Sequence, residues 1–432
     1  MSSILTNNGA MVALKTLRTI NNDLDSVRSE ISTGKKVGSA SDNAAVFAIS
    51  KAMESDVRGF KAVSDSLSLG QATVSVARQG AETVTDLLTE IKGKIVSAQG
   101  EGGGEPEKIQ ADIDALVSQI GDIVDTASFN GANLLKNTST EEGSGTTSVM
   151  SSIDRSDSGV TTSEIDIRKR DLTTGASAIA ATGGTFTASE ATGTVNATEA
   201  DIDLSGVDVE AGKAFSLQIF GTDADDSAFT QADLRNTAAA AGTQGEAAGG
   251  DITYVARDGD TMADVAKALS KEFAAYANEN GIDSDTLSIS AAGESLVATS
   301  NVTDGTDTIA VTVMSVGADA GNTIGGGLEG LESLSVLTED DAAAALSNIE
   351  GLISASIDAA ASFGSDQGRL ETQKDFIAGL TDALKSGIGT LTDADMTEAS
   401  ARLQALEVQQ QLATQSLSIA NRAPQSLLSL FR

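Results

Sequence analysis

The chain of 432 residues contains no cysteine, no histidine and no tryptophan, and it has only two prolines. Without cysteine or histidine it cannot hold zinc through thiolate or imidazole ligands, and it cannot contain a Ser-His-Asp triad or a cysteine nucleophile. Aromatic residues make up only 3% of the chain, so its cores must be built from alanine and branched aliphatic side chains. No run of 18 apolar residues occurs, and the sequence therefore predicts no membrane-spanning helix.

Basic residues are also scarce. The chain has 28 lysines and arginines against 62 acidic residues, which gives a formal net charge of −34. This balance argues against binding to nucleic acid, which needs a basic surface, and against docking on anionic membranes. The opening residues MSSILTNNGA lack a basic stretch followed by an apolar run, so we expect no conventional cleaved secretory signal.

Apolar side chains recur at alternating spacings of three and four residues near both ends of the chain. The positions in the N-terminal stretch are Ala10, Ala13, Leu17, Ile20, Leu24, Val27 and Ile31. The positions in the C-terminal stretch are Met396, Ala399, Leu403, Leu406, Gln410, Ala413, Leu417 and Ala420. This spacing predicts two amphipathic helices with matching coiled-coil-like seams, the second of which should end near Pro424.

Three further helices are predicted inward from these ends. The same spacing of apolar residues runs through 60–98, through 109–127 and through 342–386. The run GEGGGE at 100–105 should stop the first of them, and Pro106 stands where a helix tolerates proline, in its first turn.

The middle of the chain, 138–338, differs from both ends. It is rich in Thr, Ser, Gly, Ala and Asp, and its 32 acidic and 9 basic residues carry two thirds of the net charge. Short runs in which apolar and polar residues alternate predict strands at 215–220, 252–255, 287–290, 296–299 and 309–314. Thr261 should cap a helix with an apolar face of Val265, Leu269, Phe273 and Tyr276. The sequence therefore predicts long helices at both ends and an inserted α+β middle.

Several short motifs in the helical ends resemble those of bacterial flagellins. They are STGKKVGSASDNAA at 32–45, IQADI at 109–113, SFNG at 128–131, Gln367 with RLE at 369–371, DAD at 393–395 with Glu398, and ANRAPQ at 420–425. Ile4, Thr6, Asn7 and Ala10 are similar as well. The sequence departs from the family at Val46, where Gly is usual, and at Gly38 and Gly368, where Asn is common.

The resemblance implies a structural protein, not an enzyme, that polymerises with itself into the extracellular filament used for swimming. It implies that 1–35 and 397–432 form the inner core of the filament. It also implies that 36–137 and 339–396 form a helical rod domain, and that 138–338 faces solvent. Flagellins leave the cell unfolded through the flagellar type III export apparatus, without a cleaved signal peptide. Their partners are an export chaperone, here assigned to 396–432, and the filament cap and hook-junction proteins.

Elementary energetics independently predict that each terminal helix needs a partner. Burying the seven seam positions of the N-terminal helix contributes on the order of 10 kcal/mol. Ordering its roughly 30 residues costs on the order of 30 kcal/mol, which helical hydrogen bonds offset only in part. We therefore expect both termini to be poorly ordered in the free monomer and to fold when subunits stack. The alternative is an ordinary helix bundle within one chain.

The segment 88–95 differs from the family pattern that is linked to receptor activation. Flagellins that activate the vertebrate innate receptor have the pattern LQRxREL on the long rod helix, and the corresponding run here is LTEIKGKI at 88–95. The residues of the receptor-equivalent segment are Leu88, Glu90, Lys92, Lys94 and Asp112. Glu90 stands at a basic position, so the resemblance implies weak or absent receptor activation.

Other functions stay open at this stage. A hook–filament junction protein of the same superfamily is the nearest alternative, and an adhesin or enzyme displayed by the middle domain is a more distant one. We expect no cofactor and no metal. Two groups of aspartates, Asp223 with Asp225 and Asp226, and Asp201 with Asp203 and Asp208, could ligate calcium, but neither has an EF-hand frame. Solvated acidic loops are the simpler explanation of both groups.

Overall fold

The computed structural model describes residues 7–99, 105–156, 159–179, 186, 188–196, 198–222, 234, 252–304, 306–318 and 321–429. The helices are α1 (Asn8–Thr33), α2 (Ala44–Gln99), α3 (Pro106–Thr126), α4 (Met262–Glu279), α5 (Glu339–Thr392) and α6 (Met396–Ser429). The chain divides into two compact units. The first contains 1–65, 152–161 and 374–432, and the second contains 66–151 and 162–373.

Eleven strands are defined within the described residues. They are β1 (Ser128–Phe129), β2 (Ala132–Asn133), β3 (Thr146–Ser156), β4 (Gly159–Arg168), β5 (Ala188–Val195), β6 (Glu199–Asp203), β7 (Ala214–Thr222), β8 (Thr253–Val255), β9 (Ser288–Ala292), β10 (Ser295–Thr299) and β11 (Thr308–Val316). The expectation of helical ends with an α+β middle is confirmed.

The first unit is a helical assembly around the two terminal helices. α1 and α6 pair antiparallel, because Asn7 lies beside Ala420, Asn21 beside Gln410, and Lys35 beside Asp393. The tip of the β3–β4 hairpin packs here as well. Its Arg155 forms an ion pair with Asp56 of α2, with 3.1 Å between Nε and Oδ1.

The helices of the second unit bury the apolar side chains that recur at the predicted spacing. The fully buried apolar side chains of α2 in this unit lie three, four or seven residues apart: Leu67, Val74, Ala77, Ala81, Val84, Leu88, Ile91 and Ile95. They share the helical core with Ile113 and Ile120 of α3 and with Ile349, Leu352, Phe363 and Leu370 of α5. A hydroxyl pair also lies here, since Thr85 Oγ1 is 2.8 Å from Ser356 Oγ.

The sheets of the second unit surround α4. One sheet has the order β5-β11-β7-β8 and another the order β6-β10-β9, with antiparallel pairing in both. α4 begins with a capping box, in which Thr261 and Asp264 bond to each other's backbone N–H. Its apolar face packs into one core with the inward side chains of the sheets, which include Val195, Phe215, Leu217, Leu296, Ile309, Val311 and Val313. All five strands predicted in the middle and the capped helix are confirmed.

Two sequence predictions about helix ends are wrong. The final helix does not end near Pro424 but continues to Ser429. Pro424 has no backbone N–H to donate to the carbonyl of Ala420. The side chain of Asn7 donates to that carbonyl instead. α2 starts at Ala44, not near residue 60, because Asn43 Oδ1 accepts a hydrogen bond from the N–H of Val46 and caps the helix early.

None of the helices in the described ranges combines the length and the apolar content that crossing a bilayer requires.

Candidate assembly surface

The seam residues of the two terminal helices face each other in the first unit. Between 396 and 422 on α6, the positions that are not exposed are Ala399, Leu403, Leu406, Gln410, Ala413, Leu417 and Ala420. On α1 they are Ala10, Ala13, Leu17, Ile20, Leu24, Val27 and Ile31, together with Asn21 and Glu30. Met396 lies outside this interface and is exposed. The structure thus brings the predicted seam residues together within one chain.

Polar contacts fix the register of this helix pair. Near its middle, Gln410 Nε2 donates to Asn21 Oδ1 at 2.7 Å. At its end, Asn7 Nδ2 donates to the carbonyl of Ala420 at 2.9 Å, and Asn7 Oδ1 accepts from the N–H of Ala10 at 3.0 Å. Asn7 therefore caps α1 and binds α6 with one amide group.

The motif at 32–45 forms the turn that joins α1 to α2. Gly34 ends α1 in the left-handed conformation with a φ of 69°, which glycine adopts without strain. The carbonyl of Thr392 accepts from the N–H of Lys36 at 2.7 Å, and the carbonyl of Gly34 accepts from the N–H of Ala394 at 3.0 Å. The two motifs at 32–45 and 393–395 thus hold the α1–α2 turn against the α5–α6 turn.

Two carboxylates stabilise these turns through backbone N–H groups. Asp42 accepts from Ser39 and Gly38, and these hydrogen bonds hold the pKa of its carboxyl below the usual value. Asp395 accepts from Glu398 and Thr397 at the start of α6, and the pKa of its carboxyl is lowered for the same reason. Both groups are therefore negative at neutral pH and favour the observed turns.

A second apolar stripe on α6 faces away from α1. Its members are Val408, Leu412 and Ile419, which are 56%, 56% and 70% exposed. They stand four and seven residues apart, so they share one face of the helix, opposite the seam residue Gln410. α1 adds exposed Met11, Val12 and Leu14. The sequence analysis missed the stripe on α6, although its spacing of four and seven was the signal that could have shown it.

Further apolar residues near both ends of the chain stand off the seams, and they are only partly described. Met11 and Val12 of α1 are exposed. Leu5 and Leu430 lie outside the described residues, and so do the side chains of Leu427 and Leu428.

The receptor-equivalent segment lies on α2 in the second unit. Leu88 is fully buried, whereas Glu90 is exposed. Lys92 forms an ion pair with Glu350 of α5, and Lys94 forms one with Asp112 of α3 at 2.6 Å. Asp112 raises the pKa of Lys94 through this hydrogen bond. Both lysines of the segment are thus already paired with carboxylates of neighbouring helices.

The candidate calcium ligands are not brought together in the described ranges, where no group of three or more acidic side chains converges. Asp201 and Asp203 lie on β6, and Asp203 Oδ1 accepts from the N–H of Ser205 at 2.9 Å. Asp223, Asp225 and Asp226 lie outside the described residues.

Two protein-family models match the helical ends of the chain. The bacterial flagellin N-terminal helical region matches residues 4–140, and the bacterial flagellin C-terminal helical region matches residues 346–431. Together they cover more than half of the sequence and enclose the terminal helix pair described above.

Full-length relatives agree with these matches. The chain is 35% identical to flagellin A and 34% identical to flagellin D of Rhizobium meliloti, and 27% identical to a flagellin of Brucella melitensis, with all of both chains covered in each case. The solved flagellar junction protein FlgL of Legionella pneumophila covers 79% of this chain and 98% of its own. The two chains are 9% identical, with a TM-score of 0.31. The chain belongs to the bacterial flagellin family, whose members polymerise as structural subunits of the extracellular flagellar filament.

Proposed function

We propose that subunits of this flagellin polymerise through the exposed apolar stripe of α6, after the seam has joined α6 to α1. The observation that carries the proposal is the exposure of Val408, Leu412 and Ile419 on one helix face. Fully burying an aliphatic side chain of this size contributes about 1.5–3 kcal/mol, so three of them form a substantial interface. A stripe that contacts a different surface of the next subunit generates an open helical polymer when the rotation between subunits does not close into a ring.

The exposed apolar side chains also support the proposal that the termini fold when subunits assemble. The α1–α6 pair leaves large apolar side chains in water on both helices, and isolated helices are marginal in water. Neighbouring subunits supply the missing burial, so we propose that both termini of the free monomer are poorly ordered and become ordered in the filament. The seam residues then form the inner contacts of the polymer.

A charged substitution on the stripe tests this role. Leu412→Glu places a carboxylate in the proposed interface but leaves the seam untouched, and we expect it to abolish sedimentation of polymer after seeding. The matched control is Gln411→Glu, which adds the same charge at the preceding exposed position and should sediment like wild type. Equal polymer yields from the two variants would show that the stripe is not an interface.

We also propose the three-part division of the subunit that the family resemblance implies. Residues 1–35 and 397–432 form the filament core, 36–137 and 339–396 form the rod, and 138–338 faces solvent. The charge distribution supports the last assignment, because the middle carries two thirds of the net charge of −34 and charged surface remains hydrated. Protease digestion of filaments should then release peptides of 138–338 before any peptide of the termini.

The partners and the export route follow from the same family. We propose that an export chaperone binds 396–432, where the apolar stripe needs cover before assembly, and that cap and hook-junction proteins contact the ends of the polymer. Export through the flagellar apparatus requires no cleaved signal. Mass spectrometry of filament-borne protein should accordingly recover an N-terminal peptide that starts at residue 1 or 2.

The receptor-equivalent segment is proposed to be inactive. Exposed Glu90 reverses the charge of the family pattern, and Lys92 and Lys94 are held in ion pairs with Glu350 and Asp112. Monomer applied to reporter cells should produce far less signal than an enteric flagellin, and a comparable signal would contradict the proposal.

A further inference from the structure

Methionine supplies the oxidisable sulfur of this chain, which has seven methionines and no cysteine. Peroxides convert a thioether to the sulfoxide, and they reach a sulfur atom in water more readily than a buried one. Met11 is 61% exposed and Met396 is 44% exposed, whereas Met262 is only 5% exposed. The other described methionines are half-buried, and they are Met53, Met150 and Met314. Oxidation should therefore begin at Met11 and Met396.

Met11 lies among apolar side chains that the helix pair leaves in water. Its neighbours Val12 and Leu14 are 66% and 41% exposed. The backbone is held in place here, because the N–H of Met11 donates to the carbonyl of Asn7 at 3.1 Å and the side chain of Asn7 binds α6. The first turns of α1 thus hold three large apolar side chains on the surface of the first unit, and a group of this kind favours burial against another subunit.

Met396 has different surroundings. It lies between Asp395 and the polar residues Thr397 and Glu398, and all four residues are exposed. The Asp395 carboxylate accepts hydrogen bonds from the backbone N–H groups of Thr397 and Glu398. A charged turn of this kind remains hydrated, so an added sulfoxide oxygen changes little there. Met396 is therefore an internal comparison for Met11, with the same chemistry in polar surroundings.

We propose that Met11 is a peroxide-sensitive modification site, and that its sulfoxide prevents the subunit from joining the filament. This inference rests on the proposed burial of the exposed apolar side chains between subunits. The oxidant is hydrogen peroxide. The thioether sulfur attacks one peroxide oxygen, so that an S–O bond forms and the O–O bond breaks. Hydroxide leaves with the electron pair of that bond and takes the proton of the new S–O–H group, which gives methionine sulfoxide and water.

The sulfoxide acts through its polarity. Its oxygen is a hydrogen-bond acceptor that water satisfies in the free subunit. Burial against apolar side chains of another subunit removes this water, and a polar group without a partner in apolar surroundings is unfavourable. The net charge of the subunit does not change, so assembly is lost through desolvation and not through repulsion. In the filament, a neighbouring subunit covers Met11 and protects it from the oxidant.

Limited oxidation of the full-length monomer tests the proposal. The monomer is treated with hydrogen peroxide, the peroxide is removed, and sulfoxides are located by peptide mass spectrometry. We expect Met11 to be oxidised at least tenfold faster than Met262, and the treated monomer to elongate filament seeds at least tenfold more slowly. Methionine sulfoxide reductases with dithiothreitol should restore elongation, and the thiol alters nothing else because the chain has no cysteine. The same peroxide dose should oxidise Met11 at least tenfold less in assembled filaments.

Two variants assign the effect to one residue. Met11→Leu retains a similar apolar volume without the sulfur, so it should elongate seeds at the same rate before and after peroxide treatment. Met396→Leu is the matched control, and peroxide should slow it as much as wild type. Met11→Ile replaces Met11→Leu in the comparison if the leucine variant fails to elongate before treatment.

Untreated wild type is measured in the same assay, so a failure of the terminal helices to assemble is detected before any oxidant is added. The proposal itself is overturned if wild type with oxidised Met11 elongates at the untreated rate. It is also overturned if peroxide slows Met11→Leu as much as wild type, if Met396→Leu becomes resistant, or if Met11 is oxidised no faster than Met262.

Discussion

At the scale of single residues, Asn7 joins the two ends of the chain. Pro424 has no N–H, so the carbonyl of Ala420 lacks the donor that a helix normally provides four residues later. Asn7 Nδ2 donates to that carbonyl at 2.9 Å. The proline that was expected to end α6 is therefore tolerated within it, because a side chain of α1 satisfies the carbonyl that proline leaves free.

Replacing Asn7 by alanine should destabilise the filament. The change removes the cap of α1 and the bond to Ala420, and loss of a helix cap typically costs about 1 kcal/mol. Calorimetric melting of assembled filaments should show a lower transition temperature for Asn7→Ala. The matched control is Asn8→Ala at the neighbouring exposed position, which should melt like wild type. Equal melting of both variants would mean that the bond to Ala420 contributes nothing.

Asp395 gives a prediction with a defined pH dependence. Hydrogen bonds from Glu398 and Thr397 lower the pKa of its carboxyl in the folded state. A lowered folded pKa stabilises the fold above the unfolded value, near pH 4, and this stabilisation is lost as the pH falls through the folded pKa.

The stability difference between wild type and Asp395→Asn should accordingly be constant between about pH 7 and pH 5, and it should shrink below about pH 4. Urea unfolding of the filament at each pH measures it. The matched control, which removes a carboxylate from an exposed position of α1, is Asp25→Asn. A difference for Asp395→Asn that persists unchanged to about pH 2 would exclude the proposed cause.

At the scale of elements, the long helices depend on glycine where another element approaches closely. A Cβ at Gly70 of α2 would lie 2.7 and 2.8 Å from the two Cγ atoms of Val149 on β3. Gly93, further along the same helix, has nothing within 4 Å of that position. The same residue type is therefore required at one site for packing and is merely a poor helix former at the other.

Alanine at these two glycines should change stability in opposite directions. Gly70→Ala overpacks the contact with Val149 and should cost about 1–3 kcal/mol. Gly93→Ala improves helix propensity and should add about 0.5–1 kcal/mol. Urea unfolding of the two variants measures both signs. If Gly70→Ala left the free energy of unfolding unchanged, β3 would have to move away from α2 without cost.

The sequence predicts these helices well because apolar residues that recur every three or four positions form a strong pattern. Ile20, Leu24 and Val27 on α1 are an example. The hairpin of β3 and β4 was not predicted, because its strands consist mainly of Thr, Ser and charged residues with few buried positions. After Ile120 of α3 the buried side chain is Val124 and not Ile123, since a straight helix drifts away from a strict seven-residue repeat.

At the scale of the whole molecule, the sequence predicted the terminal helix pair but not the cleft of about 590 Å³ in the second unit, whose lining includes Arg170, Arg257 and Lys271. The seam could be predicted because each half is local in the sequence. The cleft could not, because Arg170, Arg257 and Lys271 come from separate segments that meet only through the fold of the middle domain. Asp260, just before α4, also accepts a hydrogen bond from Tyr254 at 2.6 Å, and both residues line this cleft.

Self-assembly through the terminal helices is the central property proposed for this flagellin. Electron microscopy of purified monomer, after addition of ammonium sulfate and short filament seeds, tests this claim most directly. We predict long tubular filaments for wild type and none for Leu412→Glu. Failure of wild type to grow from seeds that are active with another flagellin, or growth of Leu412→Glu into normal filaments, would contradict the account.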